Sequence, residues 1–121
     1  MSTDLLNTFW IAVVNFNQQN WPPLVALLDE RVAMKRIDDP GYHVGKANVI
    51  AYFQGHGQHD RAVFTPTEVH HKVTGKFGLI WGTADWKNTA GSAPRTMVFS
   101  FVFVRHDSGN WLELNLWAAL L

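Results

Sequence analysis

Two histidine-rich segments are the places in this 121-residue chain where the residue types could bind a metal ion. They are His56-Gly57-Gln58-His59-Asp60 and the pair His70-His71. Imidazole nitrogens and carboxylate oxygens suit zinc or a non-haem iron centre. However, the first segment falls where a predicted helix runs into a loop, and adjacent residues of a strand point to opposite faces. We therefore expect no metal and no cofactor, and we keep His71 as a candidate acid or base.

Other sequence patterns that carry chemistry are incomplete or missing. The segment Gly41-Tyr42-His43-Val44-Gly45-Lys46 lacks the spacing and the final Ser or Thr of a phosphate-binding loop. The chain has no cysteine, which excludes disulfides, thiolate metal sites and cysteine nucleophiles. Ten Lys and Arg balance ten Asp and Glu, so the charge gives no reason to expect a nucleic acid or a membrane as a partner.

The length and composition predict one folded domain over residues 1–121. Hydrophobic residues make up 47% of the chain, which is enough for a packed core. No segment approaches the roughly 20 apolar residues of a membrane helix. Polar residues such as Asp4 and Asn7 interrupt the N-terminal apolar residues, unlike in a secretory signal. We expect a soluble protein of the cytoplasm.

The first half of the chain is predicted to be mainly helical. Apolar residues from Leu6 to Phe16 recur at helical spacing, which predicts a helix over 3–17 that ends in the amide-rich segment Asn15–Asn20. Trp21-Pro22-Pro23 begins a short second helix. The remaining predicted elements here are a strand at 31–37, a turn at 38–41 and a helix at 45–53 that ends near Gly55.

The second half is predicted to form an antiparallel meander. Candidate strands span about 66–74, 76–87, 95–106 and 110–119, and Gly- and Asn-containing turns separate them. Helices followed by a meander make an α+β domain.

Two of these strands are apolar on both faces. One strand alternates Met97, Phe99, Phe101 and Phe103 with Val98, Ser100, Val102 and Val104. Alternation in the last strand predicts one face with Leu112, Leu114, Leu116 and Ala118, and another with Trp111, Glu113, Asn115 and Trp117. The helices are long enough to cover only one face of a four- or five-stranded sheet. We therefore expect the second face to pack against another copy of the chain, giving a homodimer.

Four segments of the chain form a recognisable set: Leu27-Leu28-Asp29-Glu30-Arg31-Val32-Ala33-Met34, Gly45-Lys46-Ala47-Asn48-Val49-Ile50-Ala51-Tyr52-Phe53, the strand from Arg95 to Phe103, and Gly109-Asn110-Trp111. Together they resemble the NTF2-like superfamily, in its SnoaL-like or ketosteroid isomerase-like bacterial branch. The resemblance implies a cystatin-like cone, in which a strongly curved antiparallel sheet wraps around the N-terminal helices. It also implies a pocket on the concave face and dimerisation through the convex face.

The resemblance further allows a check of the catalytic positions of the steroid isomerases. These enzymes use a Tyr and a protonated Asp as an oxyanion hole and a second Asp to move the proton. Counting without gaps places these three positions at Ala12, Phe101 and Arg36, and none of these residues can perform the role. A slip of two residues would bring Asp38 to the position of the base.

The same counting predicts the residues of the pocket. It places Leu79, Trp81, Thr83 and Asp85 on the concave face together with Met97, Phe99, Phe101, Phe103, Leu112, Leu114 and Leu116. Arg36 is a candidate for recognising a carboxylate or polar oxygen of the ligand through its fork of donors. The alternatives are that Arg36 pairs with Asp85 or lies at the wet rim of its strand. The expected ligand-binding residues are Trp10, Met34, Arg36, Trp81, Asp85, Phe99 and Phe101, and the two tryptophans among them could instead belong to the core.

Three functions are compatible with these observations. The first is a homodimer that binds a small, largely apolar molecule in its cone. The second is a SnoaL-like isomerase, cyclase or dehydratase that uses Asp38, His71 or Asp85 for proton transfer on a small hydrophobic substrate. The third is an assembly module whose pocket is vestigial.

Overall fold

The polypeptide forms three helices and six strands in the computed structural model, which describes residues 2–35, 41–59, 62–89 and 91–121. In chain order the elements are α1 (Ser2–Asn17), α2 (Trp21–Val25), β1 (Leu28–Lys35), β2 (Tyr42–Val44), α3 (Lys46–His59), β3 (Val63–Thr74), β4 (Phe77–Lys87), β5 (Arg95–Arg105) and β6 (Trp111–Leu120). This order confirms the predicted α+β class. The short strand β2 was not predicted, and β1 begins three residues earlier than the sequence pattern indicated.

The six strands form one sheet in the order β2-β1-β6-β5-β4-β3. Strands β3 to β6 make the predicted antiparallel meander. Strand β1 joins the far side of this meander and runs parallel to β6. The sequence did not predict that parallel pair, because the residues of a single strand do not reveal the direction of its neighbour.

The helices pack against one face of the sheet, which we call the inner face. Leu5, Phe9 and Val13 of α1 share a buried cluster with residues that include Ile80 and Phe103. A second cluster joins Leu24 of α2 and Val49 and Phe53 of α3 to Val32, Met34 and Leu116 of the sheet. The sheet and the helices therefore bury one common apolar layer, which is the main source of stability in such a domain.

The register of β4 corrects the predicted faces of that strand. Ile80 lies opposite Phe101, and Ala84 lies opposite Met97, on the inner face, where both are fully buried. The residues predicted to be concave lie on the other face, which we call the outer face: Leu79, Trp81, Thr83 and Asp85.

The prediction for β4 failed because both sets of alternate residues contain large apolar side chains. The inner set also includes small residues, which weakens its hydrophobic signal. A small residue is needed at Gly78 because of packing, since a Cβ atom there would lie 2.7 Å from Cδ2 of Leu5 in α1. Helix α1 thus approaches the sheet closely at a position where the sequence shows no apolar side chain.

A β-bulge in β6 corrects the predicted faces of the last strand. Phe103 lies opposite Glu113, whereas Val102 lies opposite Asn115, so that β6 carries one extra residue at this point. The strict alternation of side chains breaks there. Leu116 is on the inner face as predicted, but Leu112 lies opposite Val104 on the outer face, and Leu114 is the extra residue.

No helix within the described ranges is both long and apolar enough to cross a membrane. The cytoplasmic location stays a prediction.

Candidate ligand-binding cavity

A cavity of about 100 Å³ lies between the inner face and the three helices. Eight of the residues that line it are aromatic: Phe9, Phe16, Tyr52, Phe53, Phe64, Trp86, Phe101 and Phe103. The other lining residues are Ala12, Val13, Leu24, Met34, Lys35, Met97, Glu113, Leu116 and Ala118. For comparison, an apolar cavity of roughly 150 Å³ in another protein accommodates benzene.

Hydrogen bonds between α1 and β3 hold part of the aromatic wall in place. The side-chain amide of Asn17, the last residue of α1, donates to the carbonyl oxygen of Phe64 at 2.9 Å, and its oxygen accepts from the Phe64 N–H at 2.8 Å. The amide-rich segment ends the helix as predicted, and one of its amides also fastens the helix to an edge strand. Phe64 is thereby positioned in the wall of the cavity.

Glu113 is the acidic residue that lines this cavity. Its side chain is only 3% exposed, and no group in the described part of the chain hydrogen-bonds to its Oε1 atom. Burial raises the pKa of Glu113 to about 8, because the charged form loses its hydration in apolar surroundings. At neutral pH the group is therefore mostly a neutral carboxylic acid, which can donate as well as accept a hydrogen bond.

The bulge in β6 is the reason why Glu113 faces the cavity. The N–H of Glu113 also donates to the carbonyl oxygen of Leu27 at 2.7 Å, directly before β1 begins to pair with β6. Strict alternation along β6 predicted Glu113 on the opposite face from Leu116, and that prediction was wrong. An isolated carboxylate between Leu112 and Leu114 was the one available signal.

A second buried carboxylate lies near the start of β6, and it is fully paired. Asp29 is 3% exposed and accepts hydrogen bonds from the N–H of Arg31 at 2.8 Å and from Nε2 of His106 at 2.8 Å. Burial raises the pKa of Asp29, but the hydrogen bonds from Arg31 and His106 outweigh burial and lower the pKa below its ordinary value. Because β6 lies between β1 and β5, the contact with His106 connects the two strands on either side of Glu113.

Lys35 is the cationic residue that lines the cavity. Its Nζ atom donates to the carbonyl oxygen of Ala118 at 3.1 Å and lies 6.0 Å from the ring centroid of Trp117. The ammonium group is thus engaged by β6 at the wall of the cavity.

Two of the predicted ligand-binding residues, Met34 and Phe101, line the cavity. Phe99 is buried next to it, where its ring stacks on Phe9 with centroids 5.8 Å apart. The steroid isomerase positions assigned to Ala12 and Phe101 both fall in the cavity wall.

The other predicted site residues lie elsewhere. Trp10 is 42% exposed and lines a surface groove on α1. Trp81 is 40% exposed on the outer face, and Asp85 lies on that face opposite Thr96. His71 is exposed on the edge strand β3. Arg36 and Asp38 lie outside the described residues.

The histidine-rich segments do not form a metal site in the part of the chain that the structure describes. No three His, Asp or Glu side chains there are placed to hold a metal ion together. The backbone of α3 continues through His56 and His59, where the sequence predicted a loop, and their side chains lie outside the described residues. His70 pairs instead with Glu68, at 2.5 Å between Nε2 and Oε2.

Solved structures show what this fold is similar to. A provisionally named dehydratase of the NTF2-like family from Streptomyces avermitilis is 17% identical, with a TM-score of 0.86 over 98% of this chain and 94% of that one. A provisionally named ketosteroid isomerase from Shewanella frigidimarina is 11% identical, with a TM-score of 0.80 over 93% and 91%. A provisionally named calcium/calmodulin-dependent protein kinase II association domain from Xanthomonas campestris is 10% identical, with a TM-score of 0.83 over 100% and 88%.

These similarities confirm the predicted NTF2-like, cystatin-like fold. At such low identity they concern the fold alone. No protein-family model matches the chain, and no curated protein does.

Proposed function

We propose that this NTF2-like chain binds a small, largely apolar molecule in the cavity, with Glu113 as the partner of the ligand's one polar group. The unpartnered Oε1 atom of Glu113 is the observation that carries the proposal. A buried polar atom without a hydrogen bond costs about 1–3 kcal/mol. A ligand that supplies the missing partner removes this cost, while the aromatic wall buries the rest of the molecule.

The size of the cavity limits the ligand. A volume of about 100 Å³ favours a single ring or a short branched chain over a fused-ring steroid. The cationic group in the wall, Lys35, already donates to the carbonyl oxygen of Ala118. Glu113 is therefore the group that selects the polar end of the ligand.

Binding is tested by thermal shift with methylcyclohexane, cyclohexanol and cyclohexanone, which present the same ring with and without an oxygen. We expect the oxygenated rings to raise the melting temperature and the Ala12→Leu variant, which fills the cavity, to abolish the shift. Ala51→Leu, at an exposed position of α3, is the matched control and should retain it. Equal shifts in both variants would refute binding in the cavity.

A second candidate function is acid-base catalysis by Glu113 on a small hydrophobic substrate, as in the SnoaL-like branch. The raised pKa of about 8 supports it, because a group that titrates near the working pH can both accept and return a proton. The names of the similar dehydratase and isomerase point the same way. Among the residues first considered for this role, His71 and Asp85 do not line the cavity, and Asp38 stays a prediction.

Catalysis is tested by deuterium exchange at the carbons next to the carbonyl of cyclohexanone, followed by NMR. An enzyme of this kind should accelerate the exchange, and Glu113→Gln should abolish the acceleration. Wild-type exchange at the buffer rate would exclude this activity and leave binding as the function.

We also propose that two copies associate through the outer face. Half-buried apolar side chains on this face support the proposal, and they come from three adjacent strands: Leu79, Val98, Val102, Leu112 and Trp117. Trp81 on the same face is 40% exposed. A second copy would bury this layer as the helices bury the inner one.

A further inference from the structure

The cavity combines aromatic rings with one buried acidic group, and we propose that its ligands are small protonated amines that carry a single apolar ring or chain. This inference rests on the proposed function, and it names the class of molecule that the same site takes.

The aromatic wall suits a cation better than it suits a neutral polar group. Ring faces carry a negative electrostatic potential, and a cation within about 6 Å of a ring centroid gains energy from it, more so when water is excluded. The walls include Trp86, the ring type that binds cations best, together with Tyr52 and six phenylalanines. For a neutral ligand these rings would offer only apolar contact.

Glu113 supplies the counter-charge that a buried cation requires. Its Oε1 atom is available inside the cavity, and an ammonium group can donate up to three hydrogen bonds. When the ammonium binds, the carboxyl of Glu113 loses its proton to solvent, and the ligand nitrogen keeps all of its own protons. The resulting pair is a charge-assisted hydrogen bond, which is about twice as strong as a neutral one.

The proton can be released at small cost. With a pKa of about 8, ionising Glu113 at pH 7 opposes binding by a factor of only about ten. Once it is ionised, the same group disfavours ligands that carry a carboxylate, because two neighbouring anions repel each other. A neutral alcohol or ketone can bind to the protonated form, but it leaves the aromatic potential unused.

Few other titratable groups face Glu113. Lys35 of β1 and Tyr52 of α3 line the same cavity, whereas the lining residues of α1, α2, β3, β4 and β5 are uncharged. The ammonium group of Lys35 already donates to a backbone oxygen of β6, and the ring that lies beside it is Trp117 of the outer face. The proton released on amine binding is therefore assigned to Glu113.

The inference is tested by isothermal titration of the wild-type chain with cyclohexylamine, cyclohexanol and methylcyclohexane at pH 6 and pH 8. Cyclohexylamine is an alkylammonium like the lysine side chain, so it stays protonated at both values. We expect its affinity to rise at least about tenfold from pH 6 to pH 8, as Glu113 becomes ionised. Titration in two buffers of different ionisation enthalpy should show release of about one proton at pH 6.

The variant Glu113→Gln and the neutral ligand cyclohexanol separate the amine inference from the proposed function. In Glu113→Gln the affinity for the amine should no longer depend on pH, and cyclohexanol should still bind. If this variant does not fold, the number of protons that the wild type releases on binding the amine still tests the inference. Binding of cyclohexanol without binding of the amine, or amine binding without proton release, would overturn the amine inference alone. Failure of all three molecules to bind would overturn the proposed function as well.

Discussion

At the scale of single residues, two buried carboxyl groups lie on neighbouring strands of the sheet, Asp29 on β1 and Glu113 on β6. Their surroundings favour opposite protonation states. Asp29 is surrounded by donors, whereas Oε1 of Glu113 has no partner in the described part of the chain. Their pKa values are consequently shifted in opposite directions. Ionised Glu113 therefore lowers the free energy of unfolding, whereas ionised Asp29 raises it.

Glu113→Gln should flatten the dependence of stability on pH. The pKa of Glu113 is raised from 4.5 to about 8, so between these values the folded state holds a proton that the unfolded state has lost. The free energy of unfolding of the wild type should therefore fall with rising pH across this range, with a contribution of up to about 1.4 kcal/mol per pH unit. Urea unfolding of both proteins at pH 5, 6.5 and 8 measures the difference, and parallel curves would contradict it.

Asp29→Asn should destabilise the fold by about 1–3 kcal/mol at pH 7, because it weakens hydrogen bonds to a buried charge. The pKa of Asp29 is lowered from 3.8, so the contribution is complete above that value and is lost as pH falls through the lower folded-state pKa. The gap between the variant and the wild type should therefore shrink below about pH 4. Asp107→Asn, at an exposed position, is the control and should change stability little at either pH.

At the scale of elements, the β-bulges in β3 and β6 shape the sheet and decide which side chains meet. The bulge in β6 turns Glu113 inward, and the bulge in β3 lies between Pro66 and Glu68, close to Gly82 of β4. The types of the elements could be predicted from periodicity, because Phe9 to Phe16 follow a helical repeat and Met97 to Val104 alternate. The bulges could not be predicted, since an extra residue in a strand leaves the local composition unchanged.

Gly82→Ala should destabilise the protein by about 1–3 kcal/mol, the cost that overpacking typically carries. A Cβ atom at this position would lie only 1.8 Å from the carbonyl oxygen of Glu68, so the bulged pair of strands would have to separate. Gly91→Ala is the control, because a Cβ there meets nothing within 4 Å. Thermal unfolding compares the two variants, and equal melting temperatures would show that β3 and β4 tolerate the added methyl group.

At the scale of the whole molecule, the layering of helices on one face of a curved sheet followed from the sequence. The apolar residues on both faces of 95–105 predicted that both faces of the sheet are covered. The helices cover the inner face, and a partner on the outer face stays a prediction. The candidate site was predicted only in part. Met34 and Phe101 line the cavity. Trp81 and Asp85 were predicted on the wrong face of β4, because the small residues Gly78 and Ala84 give its inner face a weak hydrophobic pattern.

Val102→Arg should convert a homodimer into a monomer, because it places a charge within the apolar outer face, opposite Leu79 and Asn115. Light scattering at micromolar concentration should give twice the chain mass of 13.7 kDa for the wild type and the single mass for the variant. Val44→Arg, at a position 63% exposed on β2, should leave the dimer intact. A wild-type chain that is monomeric at these concentrations would contradict association through the outer face.

We infer that the cavity holds a carboxyl group whose Oε1 atom has no partner in the described part of the chain and which stays protonated at neutral pH. A ¹³C NMR titration of the glutamate side chains tests this most directly, since the chain contains only Glu30, Glu68 and Glu113 and Glu113→Gln identifies the third signal. We expect the Glu113 carboxyl to titrate with a pKa of about 8. Titration near the ordinary value of 4.5 would mean that the carboxyl is solvated or paired, and would contradict the account.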